Sequence, residues 1–317
     1  MKINVRDNDY KKQTRLINVV GALLMLSGIA IGFLGLLEMY CFYLFSEGGR
    51  FYYEGFGFGS FMFGNIASQV IGYYVISIIF IILGYGHLKA RRWVRKITLS
   101  LSWTWLVVGA PLVIIIFFIL TGTKNLSLFA QILSAVFLGL TYLVFPWLAI
   151  RFYGGQKIIQ YFESKGTERH WTDNIPIPIL VLSMLYIFFI IVLHILILFK
   201  GMFPIFGVFA TGLKGIILLD ISIMCLIFLI WGLINLRMWA WWGSVIFFGL
   251  FTFSTILTFL RTSYLNMLSL LEFPPREMEF LSIIPIEGYH LACLTGIPLL
   301  VTWLIAVLSK GYFKRGY

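Results

Sequence analysis

Residues 84–96 read GYGHLKARRWVRK, and this strongly basic segment with one tryptophan lies between two long apolar runs. A weaker version, GLINLRMW at residues 232–239, also lies between two apolar runs, and its Arg237 and Trp239 follow Arg91 and Trp93 by 146 residues. Basic residues and tryptophan collect where membrane helices leave the lipid on the cytoplasmic side. Each segment therefore predicts a cytoplasmic turn between two membrane-spanning helices.

The composition of the chain indicates lipid as its surroundings. Of its 317 residues, 60% are hydrophobic and 12% are charged. A soluble domain carries about 25% charged residues. Several apolar runs exceed the roughly 20 residues that a helix needs to cross a bilayer. Runs such as 107–120 and 179–199 are apolar on all faces of a helix, with Ser183 and His194 as polar exceptions, and they lack the alternation that marks the strands of a membrane barrel. We therefore predict an all-α integral membrane protein.

Eight apolar runs are long enough to be transmembrane helices. The first is too long for the core of a signal peptide, so we predict that it is retained and holds the amino terminus in the cytoplasm. Its glycines Gly28, Gly32 and Gly35 give it one smooth face, which favours close helix packing. The predicted spans are residues 16–45, 66–88, 97–120, 126–152, 177–199, 213–236, 240–260 and 289–308.

The distribution of lysine and arginine predicts the orientation. With the amino terminus inside, eight spans return the carboxyl terminus to the cytoplasm, and 18 of the 24 Lys and Arg residues fall on the inner side. This asymmetry is typical of membrane proteins. The net charge of +11 is then explained by cations that set the orientation of the helices and attract anionic headgroups. We therefore expect membrane lipids, and no nucleic acid, as partners. We predict a multi-pass location in a bacterial-type inner or plasma membrane.

An internal repeat is the next prediction. At an offset of 146 residues, five identical pairs coincide: Ile81/Ile227, Leu83/Leu229, Gly86/Gly232, Arg91/Arg237 and Trp93/Trp239. They favour two four-span units, residues 1–153 and 176–317, joined by a cytoplasmic connection at 154–175. Because each unit has an even number of spans, the two would share one orientation, as parallel repeats do. Convergence between apolar sequences is the alternative.

Four ionisable residues in the outer half of the predicted spans form a candidate polar site: Glu38, His194, Asp220 and His290. Ionisable groups inside a membrane are costly and often mark function. Together the four could bind a divalent metal, relay protons or contact a polar headgroup. The two histidines alone could be the two axial ligands of a haem iron. Alternatively, each is hydrated near the interface or bonded to a neighbouring helix. We predict no metal and no cofactor.

On the inner face, six residues of the two basic segments are candidates for contact with lipid headgroups or with the acidic loop of a partner. They are Arg91, Arg92, Trp93, Arg95, Arg237 and Trp239. The glycine- and aromatic-rich stretch at 46–65 lacks the spacing of a phosphate-binding loop. We predict that it lies at the membrane–water interface, on the side opposite the cytoplasm.

The sequence carries no recognisable catalytic motif, and an enzyme is the less favoured interpretation. The first hypothesis is a non-catalytic subunit or scaffold of a membrane protein complex, with other membrane subunits as partners. The alternative is a transporter or lipid-handling protein whose outward-facing cavity contains the four ionisable residues. A third hypothesis, a membrane enzyme, would place a metal at those same residues.

Overall fold

The computed structural model describes residues 2–122, 127–166 and 170–313, with side chains described from residue 13 onward. Parts of the predicted turn after the third span, of the 154–175 connection and of the basic carboxyl tail lie outside the described residues. The helices are α1 (Lys2–Phe45), α2 (Phe61–Leu88), α3 (Arg92–Gly122), α4 (Leu128–Gly139), α5 (Phe145–Gly154), α6 (Gln156–Lys165), α7 (Ile177–Leu198), α8 (Gly212–Ile234), α9 (Met238–Arg261), α10 (Tyr264–Leu271), α11 (Pro275–Ser282), α12 (Gly288–Leu308) and α13 (Lys310–Phe313).

Eight helical segments of the described chain are long and apolar enough to cross a membrane. They are Gln13–Phe45, Phe61–Leu88, Arg92–Gly122, Leu128–Gly154, Ile177–Leu198, Gly212–Ile234, Met238–Arg261 and Gly288–Leu308. This confirms the predicted all-α class with eight candidate spans. The second span begins five residues earlier than predicted, because the Ser60 hydroxyl caps the helix by accepting from the Phe63 N–H. The third also begins earlier, at Arg92.

Irregular backbone interrupts the bundle at a few points. A π-helical turn, Leu140–Val144, joins α4 to α5, and there the Phe145 N–H donates to the Leu140 carbonyl five residues back. Pro146 follows directly and has no N–H to donate, which favours this local shift of the hydrogen-bond ladder. Between α7 and α8, β1 (Phe203–Ile205) and β2 (Val208–Ala210) form an antiparallel hairpin.

The two basic turns have the same backbone conformation. Ala90 and Leu236 both adopt the left-handed region, with φ of 47° and 52°. One residue later, the N–H of Arg91 and of Arg237 donates to the carbonyl of Gly86 and of Gly232, each at 2.9 Å. Both are Schellman turns, in which a left-handed residue closes the helix.

A tryptophan covers a glycine in each of these turns. A β-carbon at Gly86 would lie 3.0 Å from the Trp93 ring, and one at Gly232 would lie 2.6 Å from the Trp239 ring. The glycine shared by the two segments is therefore needed for the tryptophan to fold back onto the preceding helix.

Helix α1 packs along α2, and glycines make this contact close. The Ser77 hydroxyl donates to the Gly28 carbonyl at 2.7 Å, and β-carbons at Gly28 and Gly35 would lie 2.8 Å from Ile81 and 3.3 Å from Tyr74. The smooth face predicted for the first span is thus confirmed as a packing surface within the chain.

The described residues form three apolar clusters. The largest lies among α7, α8, α9 and α12, and buries Tyr186 and Phe248 as a stacked pair with ring centroids 4.6 Å apart. A second cluster joins the carboxyl end of α2 and the amino end of α3 to α5 and α6. The third is built on α10, α11 and the segments around them.

Candidate functional site

The four predicted polar residues lie on four different helices. His194 and Asp220 are exposed on α7 and α8, whereas Glu38 and His290 are half-buried on α1 and α12. Among the described residues, no hydrogen bond or ion pair links any two of the four. Nor does that part of the chain bring three His, Cys, Asp or Glu side chains together as a metal site. A site shared by the four therefore stays a prediction, and each is considered by itself.

Two of these residues have local partners. The His290 Nδ1 accepts from the Glu287 N–H at 3.0 Å and so contributes to a capping box at the start of α12. The His194 Nδ1 lies 2.8 Å from the Ile190 carbonyl, which requires the proton on that nitrogen. Its Nε2 is then free to accept a hydrogen bond from outside the helix.

Asp220 has the most unusual surroundings of the four. It lies eight residues into α8, about 12 Å from the amino end of the helix at 1.5 Å per residue. The exposed neighbours on the same face are Ile217, Ile221, Met224 and Phe228. A carboxylate on such a face would meet lipid, at a cost of about 2.5–3.5 kcal/mol on the translocon-insertion scale.

The basic segment at 84–96 is bonded to the 154–175 connection and to the end of α5 that precedes it. Lys96 Nζ donates to the carbonyls of Thr172, Asp173 and Ile175 at 2.9, 2.9 and 3.2 Å. Arg95 is only 8% exposed, and its guanidinium donates to the Tyr153 carbonyl at 3.3 Å.

Two further residues of the segment contact the same connection. The guanidinium of Arg92 donates to the Glu163 carbonyl at 2.6 Å, and the Trp93 ring lies 5.8 Å from that of His170. These contacts give Arg92 and Trp93 a role in holding the connection in place, while Arg95 holds the end of α5. Arg237 and Trp239 are exposed at the second turn, and their predicted contact with headgroups stays a prediction.

A histidine–tyrosine pair lies beneath this segment. His87 is fully buried, its Nδ1 lies 2.7 Å from the Leu83 carbonyl, and its Nε2 lies 2.6 Å from the Tyr153 hydroxyl. Because the carbonyl can only accept, Nδ1 carries the proton that is shared with Leu83, and Nε2 shares a hydrogen bond with the Tyr153 hydroxyl. The pair joins the end of α2 to the end of α5.

A buried carboxylate connects α11 with the start of α2. Glu277, in α11, is 7% exposed, and it accepts from the Phe61 N–H at 2.7 Å and the Met62 N–H at 2.9 Å. The Tyr53 hydroxyl donates to the same carboxylate. Burial first, and then this hydrogen bond, raise the pKa of Tyr53 well above its ordinary value, so the phenol remains a donor at neutral pH.

The position of Glu277 has a clear electrostatic reason. The first N–H groups of a helix have no partner within the helix, and the helix dipole favours a negative charge beside them. Glu277 supplies that charge to the start of α2 from a segment 216 residues away. Sequence reasoning missed it, because nothing distinguishes it from the other glutamates of the 261–288 connection.

Beside this carboxylate, an open cleft of about 870 Å³ separates the loop before α2 from the segment before α11. Lys200 crosses it, with Nζ 3.0 Å from the Glu272 carbonyl and 3.7 Å from its Oε2. The cleft is lined by Tyr52, Tyr53, Glu54, Gly55, Phe58, Gly59, Ser60, Lys200, Glu272, Phe273, Pro274, Pro275 and Arg276. It therefore offers aromatic rings and charges of both signs.

Several hydroxyls inside the bundle have no hydrogen-bond partner within the described chain. They include those of Ser100 on α3, Tyr186 on α7, and Ser244, Thr252 and Thr255 on α9. The Tyr186 and Ser244 hydroxyls are neighbours, although they do not meet hydrogen-bond geometry. Buried groups of this kind are costly without partners, and water or a polar solute can supply them.

No protein-family model, curated protein or solved structure matches this chain.

Proposed function

We propose that this protein is a non-catalytic subunit of a membrane protein complex, with both termini in the cytoplasm of a cell with a bacterial-type inner or plasma membrane. The observation that carries the proposal is Asp220, a carboxylate on an exposed, otherwise apolar stripe of α8 with no partner among the described residues. Placing an isolated carboxylate in lipid has an unfavourable free energy. A transmembrane helix of a partner that presents a lysine, an arginine or an amide at the same depth would remove that free-energy cost.

Other surfaces support an assembled state. His194 is exposed on α7, the helix that packs against α8. In the fourth candidate span, Leu128–Gly154, none of the most apolar window is buried within the chain. Polar groups act as contacts between membrane helices, so the α7–α8 face is the proposed position of a neighbouring subunit.

The two-unit organisation is part of this proposal. Its support is the shared Schellman geometry at Ala90 and Leu236, together with the glycine–tryptophan contact that follows each helix. Two units of four spans related by an axis along the membrane normal would place the basic turns on one side. That arrangement agrees with the predicted excess of cations on the inner face.

The Asp220 proposal predicts the result of crosslinking within native membranes. A photo-reactive amino acid at Met224, one turn from Asp220, should give a discrete crosslinked band in cells that make the natural complex. Asp220→Leu should reduce the yield of that band about tenfold or more, since a charge-assisted hydrogen bond contributes about 1.5–3 kcal/mol.

The matched control is Ile217→Leu on the same stripe, which keeps its apolar character and should leave the crosslink intact. Asp220→Asn retains hydrogen-bonding capacity and should give an intermediate yield. A chain that crosslinks only to lipid, with or without Asp220, would contradict the proposal.

A transporter of small polar solutes is the second candidate, and the unpartnered hydroxyls of Tyr186 and Ser244 favour it. If they line a hydrated path, liposomes that contain the protein should take up glycerol or urea faster than empty liposomes. Ser244→Ala should remove most of that difference, whereas Ser269→Ala on the exposed surface of α10 should not. Equal uptake by protein-containing and empty liposomes would remove this candidate.

A further inference from the structure

A groove of about 790 Å³ lies where α1 passes the end of α2 and the end of α6. Its polar end is formed by Thr14, Arg15 and Asn18 on α1 and by Lys165, the last residue of α6. Within the part of the chain that the structure describes, both charged residues that line it are cations. In this respect the groove differs from the cleft beside Lys200 and Glu272, which carries both signs of charge.

The rest of the groove is apolar. Val19 and Ala22 continue the wall one and two turns further along α1, and Leu88 closes the other side from the end of α2. Because α1 enters the membrane as it leaves this region, the apolar wall extends from the cations toward the hydrocarbon. The groove thus has a cationic end at the membrane surface and an apolar end at the depth of acyl chains.

From this arrangement we infer that the groove is a binding site for an anionic phospholipid of the inner leaflet. The phosphate lies between Arg15 and Lys165, Asn18 donates to the headgroup, and the first part of an acyl chain lies against Val19 and Leu88. The inference rests on the proposed orientation only for the choice of leaflet. Its ligand chemistry follows from the groove itself.

The charge of the two lining cations gives the groove a preference for an anionic ligand. Arg15 and Lys165 are both exposed residues of the lining. Juxtamembrane cations each contribute about 1 kcal/mol of attraction to an anionic surface, and two of them correspond to a preference of roughly tenfold or more.

The test is native mass spectrometry of the full chain in detergent, titrated separately with dioleoylphosphatidylglycerol and dioleoylphosphatidylcholine. We expect the first bound state to form at about tenfold lower concentration with phosphatidylglycerol. The double variant Arg15→Gln/Lys165→Gln should bind the two lipids equally. Lys157→Gln, on the same helix α6 but outside the groove, should retain the preference.

Two further measurements complete the test. Inorganic phosphate at millimolar concentration should not displace phosphatidylglycerol, because it lacks the chain that contacts the apolar wall. A phosphatidylglycerol with a photo-reactive acyl chain should label the peptide around Val19. Equal binding of the two lipids, displacement by phosphate, or a preference that survives in the double variant would overturn the inference. None of these outcomes depends on the partner proposed for Asp220.

Discussion

Glu277→Gln should lower the thermal unfolding midpoint of the detergent-solubilised protein by about 5–10 °C. The carboxylate accepts from the Phe61 N–H, the Met62 N–H and the Tyr53 hydroxyl at a buried position. Glutamine offers one acceptor oxygen, and its amide group places a donor against donors. The loss of charge at a helix start and of paired N–H groups corresponds to about 2–4 kcal/mol, and tryptophan fluorescence during heating measures the shift.

Glu279→Gln is the matched control for this substitution. Glu279 lies in the same short helix, α11, but it is exposed, and removal of its charge should change the midpoint by less than about 2 °C. Tyr53→Phe should have a smaller effect than Glu277→Gln. Since the two residues share one network, the double variant should lose less than the sum of the two single losses. Equal midpoints for Glu277→Gln and Glu279→Gln would refute the capping role.

The transmembrane spans could be predicted from the sequence, whereas the role of Glu277 could not. A transmembrane helix is encoded locally, because about 20 consecutive apolar residues suffice to specify it. The packing face that contains Gly28 and Gly35 could be predicted for the same reason, because a small residue lets a second helix approach closely wherever it lies on the helix. The role of Glu277 depends instead on a helix start that is distant in sequence, and no local pattern records that pairing.

The basic segment illustrates a second limit. Its charge correctly predicts a turn between two candidate spans, but charge alone does not distinguish a lipid phosphate from a backbone carbonyl as the acceptor. Lys96 binds three carbonyls of the connection, and only the fold brings those groups within reach.

Asp220 shows the same limit on a membrane helix. Nearly every position of α8 around it is apolar, so the hydrophobic pattern does not reveal which face meets lipid. The sequence identifies Asp220 as costly, and the packing of α8 against α7 and α9 determines where its carboxylate points.

Gly84→Ala should separate the first two spans, with a loss of stability of about 1–3 kcal/mol, the range found for overpacked interiors. A β-carbon at Gly84 would lie 2.7 Å from the Gly21 carbonyl oxygen and 2.5 Å from the Met25 side chain. The side chain can move aside, but the backbone of α1 cannot do so without shifting the helix. Because α1 packs mainly on α2, we expect a lower unfolding midpoint and faster proteolysis near the amino end.

Gly72→Ala provides the control within the same helix. Nothing lies within 4 Å of a β-carbon at Gly72, so this substitution adds helix propensity without a clash and should leave the midpoint equal or higher. The two variants make the same chemical change in α2, and only the approach of α1 distinguishes them. A similar loss in both would mean that glycine in α2 serves backbone flexibility. Loss in Gly84→Ala alone would show that close packing of α1 on α2 stabilises the protein.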